Sequence, residues 1–468
     1  MKVALFLSVL FCGNATAMPQ PKIESQTRWR PMAAVSQRTA NGLRVAVLRQ
    51  TDLPIVHLVG LVTAGSDCDP EDKPGLANAV AEMLEEGGAA SYTRSTLTEA
   101  LADLGGDLDV EVDQNGVRLT LSTTARHFDR ALELMAALMT RPRFEGEEWT
   151  REREALISEL LKERAEPERI ADEVFDRVIF GDGHPYAHSP DGTEAGLRAI
   201  NVADLRAFYS THYGPRTTTL LLVGDAPRDA ALRVERAFAD WKSNAVPAAP
   251  PRAATPGAAR LVIVDRPGAT QSELRIGHVG VASSTSDYAA LQLLKTVLGG
   301  SFTSRLNQNL RERHGYTYGA HARFKLFRAP GSFDASAAVR TDVTAPAVRE
   351  ILSELEGILK GPTREELRKG RSLLIDQLVE TFGHGLLSAQ FLGKLLLADL
   401  PVDHWQKALD DLDALDVAKT TLSAQRLFFP DRLVIVVVGD RKKIEKSLRA
   451  LPMVKTVEFR DANGELTR

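Results

Sequence analysis

Two apolar runs end in the same dipeptide and divide the chain into comparable halves. Thr219-Leu-Leu-Leu-Val-Gly-Asp225 and Leu433-Val-Ile-Val-Val-Val-Gly-Asp440 each follow a proline, Pro215 and Pro430, a few residues upstream. Each precedes a charged amphipathic segment: Asp229–Trp241 with Leu232, Val234 and Phe238, and Lys443–Leu451 with Ile444, Leu448 and Leu451. The shared pattern predicts a buried strand, a turn at Gly-Asp and then a helix. The starts of the halves agree too. Strand-like Ile55–Val62 leads to helix-like Leu76–Leu84, and strand-like Leu274–Val281 leads to helix-like Tyr288–Leu298. Between the halves, residues 246–259 carry four prolines and a glycine, which neither a helix nor a central strand accommodates. A duplication follows, with an α+β fold of two homologous halves, each a mainly antiparallel sheet packed with helices on one side. The expected boundaries are 37–245 for the first half, 246–259 for the linker and 260–460 for the second.

A chain of 468 residues suits two domains and buries a sizeable core. Net charge is −4, charged residues make up 26% and aromatic residues 6%, so neither a basic footprint nor a stacking platform for nucleic acid is present. Lys2, the apolar run Val3–Phe11 and Ala15-Thr16-Ala17 form a secretory signal over residues 1–17, with cleavage expected after Ala17. Bulky Phe11 before Cys12 disfavours lipidation there. The expected location is the periplasm or the exterior. No other run approaches the roughly 18 apolar residues of a membrane span. Cleavage leaves Cys68 alone, which excludes an intramolecular disulfide and a cysteine-based zinc site.

Residues 73–88 read Lys-Pro-Gly-Leu-Ala-Asn-Ala-Val-Ala-Glu-Met-Leu-Glu-Glu-Gly-Gly. Leu76, Val80, Met83 and Leu84 form one helical stripe; Asn78 and Glu82 lie one turn apart on another face. The segment resembles the zinc-binding helix of the M16 (pitrilysin/insulinase, mitochondrial-processing-peptidase-like) metallopeptidases, where His-x-x-Glu-His sits between Gly-Leu-Ala and Met-Leu. By that resemblance Asn78 and Glu82 replace the two His ligands and Ala81 replaces the glutamate that takes a proton from water. Such a peptidase needs two imidazoles at i and i+4, a third ligand and a base. Arg151-Glu-Arg-Glu-Ala-Leu-Ile-Ser-Glu-Leu160 resembles the family's downstream helix, which implies that Glu159 is a retained third ligand and Glu152, seven residues earlier, its supporting carboxylate. On pattern alone both belong to a solvated charged face. Asn78, Glu82 and Glu159 together offer oxygens, which suit a hard cation better than zinc.

The ten histidines do not rebuild the site. His184 and His188 have i, i+4 spacing, but Pro185 between them makes a loop, and Gly183-His-Pro-Tyr186 resembles a recurrent family segment without a metal role. Residues 298–319, Leu-Gly-Gly-Ser-Phe-Thr-Ser-Arg-Leu-Asn-Gln-Asn-Leu-Arg-Glu-Arg-His-Gly-Tyr-Thr-Tyr-Gly, are similar to the family's second-half signature. There an Arg and a Tyr seven residues apart reach the zinc site of the other half or of a partner subunit; Arg311 and Tyr318 match them. The ordinary alternative is a helix end, a turn at Gly315 and surface side chains. Gly299 and Gly300 suggest a tight turn.

The resemblance implies a non-catalytic, substrate-binding subunit of a heterodimeric zinc peptidase. It implies no cofactor bound by this chain, zinc on a partner with intact His-x-x-Glu-His, and a peptide substrate met by Arg311 and Tyr318 in trans. The alternative is a non-enzymatic peptide-binding or structural protein of the same fold, as in the family's respiratory-complex core subunits. A peptidase with an unusual site of its own is the third reading, opposed by the lack of a base at Ala81.

Overall fold

The structure, a computed structural model, describes residues 29–255 and 257–467. The expected signal segment and Cys12 lie outside the described residues.

Strand formation follows the apolar runs. The first sheet contains β1 (Val35–Arg38), β2 (Arg44–Arg49), β3 (Ile55–Val62), β4 (Asp107–Val112), β5 (Val117–Thr124) and β6 (Thr218–Gly224), in the order β1-β2-β6-β3-β5-β4. The second contains β7 (Arg260–Asp265), β8 (Gln271–Val279), β9 (Ala320–Lys325), β10 (Ser332–Arg340), β11 (Val434–Gly439), β12 (Val457–Arg460) and β13 (Leu466–Thr467), in the order β13-β12-β7-β11-β8-β10-β9. The central five strands correspond one to one. β2 pairs parallel with β6 as β7 does with β11, and the remaining three pairings of each set are antiparallel. The two Gly-Asp runs, β6 and β11, occupy the same place in the two sheets. The duplication read from the chain is therefore present as topology.

Helices cover both faces of each sheet rather than one. Along β6, Leu220 and Leu222 join the core under the helices Leu76–Glu85 and Phe128–Thr140, whereas Leu221 and Val223 join a core with Leu374, Leu392, Leu396 and Trp405 from the second half. Successive strand side chains point to opposite faces, and a continuous apolar run is what a strand buried on both faces requires. The exchange is mutual. The helix Pro167–Phe180 of the first half lays Ile170, Val174 and Val178 on Val262, Val264, Val436 and Val438 of the second sheet. Each sheet borrows its outer cover from across the linker, so neither face is left as an exposed apolar patch.

Candidate functional site

The helix Leu76–Glu85 is fixed at its N-terminus by Asp69, whose carboxylate accepts from the backbone N–H of Gly75 and of Ala77, both at 2.7 Å. Carboxylates are favoured there because the first N–H groups of a helix have no internal partner. Burial nevertheless lifts the Asp69 carboxyl to about 7, against those two bonds. Gly75 adopts φ 98°, a conformation glycine reaches without penalty, and a Cβ there would lie 3.0 Å from the Asp191 carbonyl oxygen. Gly192 closes in from the other side: its Cβ would lie 2.2 Å from the Pro74 carbonyl. This glycine contact seats Asp191 beside the helix.

Asn78, Glu82 and Glu159 line one cleft of roughly 350 Å³, together with Glu111, Glu163 and Asp191. Ala81 does not line it; fully buried, it packs in the first core. Asn78 is 8% exposed. Glu159 is largely exposed and meets Lys162 at 3.2 Å, one turn along its own helix, Gly146–Glu163. Glu152 is buried on that helix but does not line the cleft. Burial and then the negative charges of Glu152, Glu86, Asp191 and Asp109 lift the Glu82 carboxyl to about 7. Desolvation and like charges both disfavour the ionised form.

A zinc ion at a catalytic peptidase site takes three protein ligands, among which imidazoles predominate. The donors here are an amide and carboxylates. Among the described residues no three His, Cys, Asp or Glu side chains converge on a common point. The residues present do not fit zinc. His184 and His188 are engaged elsewhere, with Nε2 contacts of 2.8 Å to the Arg252 and Asp182 carbonyls respectively.

The raised Glu82 carboxyl gives a test with a defined sign. A carboxyl whose folded value lies above its unfolded one contributes stability that is complete at acid pH and lost as pH rises through about 7. Glu82→Gln, which mimics the neutral form, is expected to stabilise the protein by about 1–2 kcal/mol at pH 8 and by nothing at pH 4. Thermal unfolding at the two pH values checks it; an equal shift at both would disconnect Glu82 from the charge cluster.

The second cluster is built by the segment that follows the helix Tyr288–Leu298. Gly299 and Gly300 are demanded by packing: a Cβ would stand 2.3 Å from the Ala322 nitrogen at the first and 2.8 Å from the Thr296 Cα at the second. The buried Asn307 side chain ties this loop to β9, donating to the Ser301 and Ala320 carbonyls at 3.0 and 3.1 Å and accepting from the Ala320 N–H at 3.0 Å. Asn307–Arg313 then forms a π-helical turn, a widened geometry frequent at functional sites. Gly315 follows at φ 62°, in the left-handed region that favours glycine.

Arg311 and Tyr318 consequently line one open cleft of roughly 700 Å³. The Arg311 guanidinium lies 4.3 Å from the centre of the Phe302 ring, a cation–π contact that limits where it points. Tyr318 is 90% exposed, so its hydroxyl is free to meet an incoming group. Lys295, His321, Arg323 and Lys325 share the cleft, and no Asp or Glu lines it. No residue lines both this basic cleft and the acidic one around Glu82.

Asp191, Glu163 and Glu111 in the first cleft, and Lys295 and His321 in the second, had no sequence signal of their own. The nearest clue was glycine: Gly192 beside Asp191 and Gly299 near Lys295 are close-approach positions.

Comparison with known proteins agrees with this architecture. Residues 44–182 match the model described as Insulinase (Peptidase family M16), and residues 199–374 match that of the Peptidase M16 inactive domain. A Mycobacterium tuberculosis protein named an uncharacterized zinc protease is 26% identical over 366 residues, which are 73% of this chain and 81% of that protein. Among solved structures, a peptidase M16 inactive domain from Pseudomonas fluorescens superposes with a TM-score of 0.81 at 24% identity, over 87% of this chain and 98% of that one. A chain of Complex III2 from Candida albicans superposes with a TM-score of 0.74 at 15% identity, over 89% and 99%. The last two are likenesses of fold.

Proposed function

Because the chain belongs to the M16 (insulinase) peptidase family, we propose that it is the non-catalytic, substrate-binding subunit of a heterodimeric zinc peptidase. The observation that carries this reading is the contrast between the two clefts. Asn78, Ala81 and Glu82 stand where the family's ligands and base are expected, while Arg311 and Tyr318 share an open cleft that no carboxylate lines. In this reading residues 37–245 and 260–460 form one side of a peptide-enclosing chamber. The mature chain begins after Ala17 and works in the periplasm or outside the cell.

Arg311 and Tyr318 act on the peptide held between the subunits. The guanidinium binds a peptide carbonyl or carboxylate, with donors in a fork that matches either. The Tyr318 hydroxyl donates to the oxygen on which negative charge develops as the carbonyl is attacked; donors poised at that place are worth more in the transition state than in the ground state. The zinc and the base belong to the partner, whose His-x-x-Glu-His helix faces this cleft.

Cleavage of a quenched fluorescent peptide mixture is the test. The mature chain is assayed alone and after co-expression with a His-x-x-Glu-His relative from the same source, with zinc measured on each sample. Activity and about one zinc per heterodimer, seen only in the co-expressed complex, are expected. Chelator-sensitive cleavage by this chain alone would replace the proposal with an unusual active site. A partner whose activity ignores this chain would leave a structural or peptide-binding protein.

A further inference from the structure

The basic cleft does not end at Tyr318. Lys295, Phe324 and Gln377 line both it and a second cavity of roughly 390 Å³, so the two spaces adjoin at these side chains. The second cavity is walled by Leu374, Leu378, Phe391, Leu395, Trp405 and Leu409. Its volume falls within the ~300–1,000 Å³ of ordinary ligand sites, and its apolar wall with few polar groups has their composition. Trp405 is held by ring contacts, stacked on Phe382 at 4.4 Å and edge-on to Phe391 at 5.6 Å, so this wall is rigid.

Two cations and no anion border this apolar space. Lys295 and Lys394 line it, and neither it nor the adjoining cleft has an Asp or Glu in its lining. The Lys295 amine makes no ion pair among the described residues, and burial holds its pKa below the usual lysine range. An ammonium withdrawn from water without a counter-charge is costly, and an anionic ligand offsets that cost.

We infer that this cavity receives the C-terminal residue of a peptide, its bulky apolar side chain among the leucines and Trp405 and its α-carboxylate on Lys295. The inference rests on the peptide-handling reading of the Arg311–Tyr318 cleft and names the peptide end that it prefers. Lys295 is part of the cavity wall, so the anion must stand beside the apolar group, and the proposal places both on one residue. A C-terminal Phe or Leu carries both on a single Cα. An Asp or Glu side chain places the anion on a neighbouring residue. The rest of the peptide then runs past Lys295 and Gln377, which border both spaces, towards Arg311.

The test is fluorescence anisotropy of N-terminally labelled octapeptides with the full mature chain. One ends in Phe with a free carboxylate, one in Phe-amide, one in Ser with a free carboxylate, and one is amidated with an internal Phe-Glu pair. The free-acid Phe peptide is expected to bind at least tenfold tighter than the other three. Lys295→Gln should erase the preference for acid over amide. Ala408→Trp, which fills the cavity from a half-buried position, should erase the preference for Phe over Ser. Equal binding of acid and amide would overturn the proposal. So would tight binding of the internal Phe-Glu peptide, which would assign the carboxylate to a side chain, or displacement by laurate without peptide affinity, which would assign the cavity to a lipid. These readings use this chain alone, so they stand or fall separately from turnover of the complex.

Discussion

Replacing Tyr318 by Phe is expected to lower kcat of the assembled peptidase by about 10²-fold, with KM and heterodimer assembly unchanged. The magnitude is that of losing one donor to a developing oxyanion. The substitution removes a single oxygen from a side chain that is 90% exposed in this chain, so the fold has no reason to respond. A fall in kcat and kcat/KM together marks an interaction made only in the transition state. Arg311→Ala is expected to act on KM instead, because a guanidinium fixed over Phe302 binds substrate and transition state alike. Turnover unaltered by Tyr318→Phe would remove the hydroxyl from the reaction and leave Arg311 as a binding group. An equal loss in both variants, with weakened assembly, would mean that the cleft is a subunit contact.

What the sequence disclosed, and what it withheld, follows the range of the forces involved. β3 runs over Ile55–Val62 and the helix after β8 over Tyr288–Leu298, as their apolar patterns predict, because each is decided by local period and flanking turns. Asn78 and Glu82 share a cleft because they lie one helical turn apart. Their companion Asp191 arrives through a glycine contact more than a hundred residues away in sequence, which no local pattern encodes. The placement of helices failed for a related reason. Val262, Val264, Val436 and Val438 announce that the second face of a sheet is covered, but they do not say that Pro167–Phe180, from before the linker, covers it. Gly299 and Gly300 were legible as a tight turn; the approach of β9 to Gly299 was not.

The same exchange of helices makes Arg275 the residue whose loss should destabilise the fold most. On β8, Leu274 and Ile276 enter the second core, so alternation would send Arg275 to solvent. It is 1% exposed instead, because the helix Pro167–Phe180 lies over that face. Its guanidinium donates to Asp172 Oδ1 at 2.6 Å, to Glu273 Oε2 at 3.3 Å and to the Glu168 carbonyl at 3.3 Å. Arg323 also meets Asp172, at 2.8 Å, and Lys325 meets Asp176 at 2.6 Å. Burial alone would raise the Asp172 carboxyl, but Arg275, Arg323 and Lys325 together hold it below the usual carboxylate range. Arg275→Met is expected to cost about 3–5 kcal/mol, since removing one partner leaves buried carboxylates without their counter-charge. The double variant Arg275→Met with Asp172→Asn should recover part of that loss, because the removed charges answer one another. The sign with pH is fixed as well. A carboxyl held below its unfolded value contributes stability present above the unfolded pKa and lost as pH falls through the folded one. Wild type should therefore lose this contribution on acidification below about pH 4, and Arg275→Met should show a shallower acid limb. Urea unfolding at pH 7 and pH 3 measures both quantities. A cost below about 1 kcal/mol, with an unchanged acid limb, would show that water or the neighbouring Arg323 replaces Arg275 and that the contact between the halves is held by its valines alone.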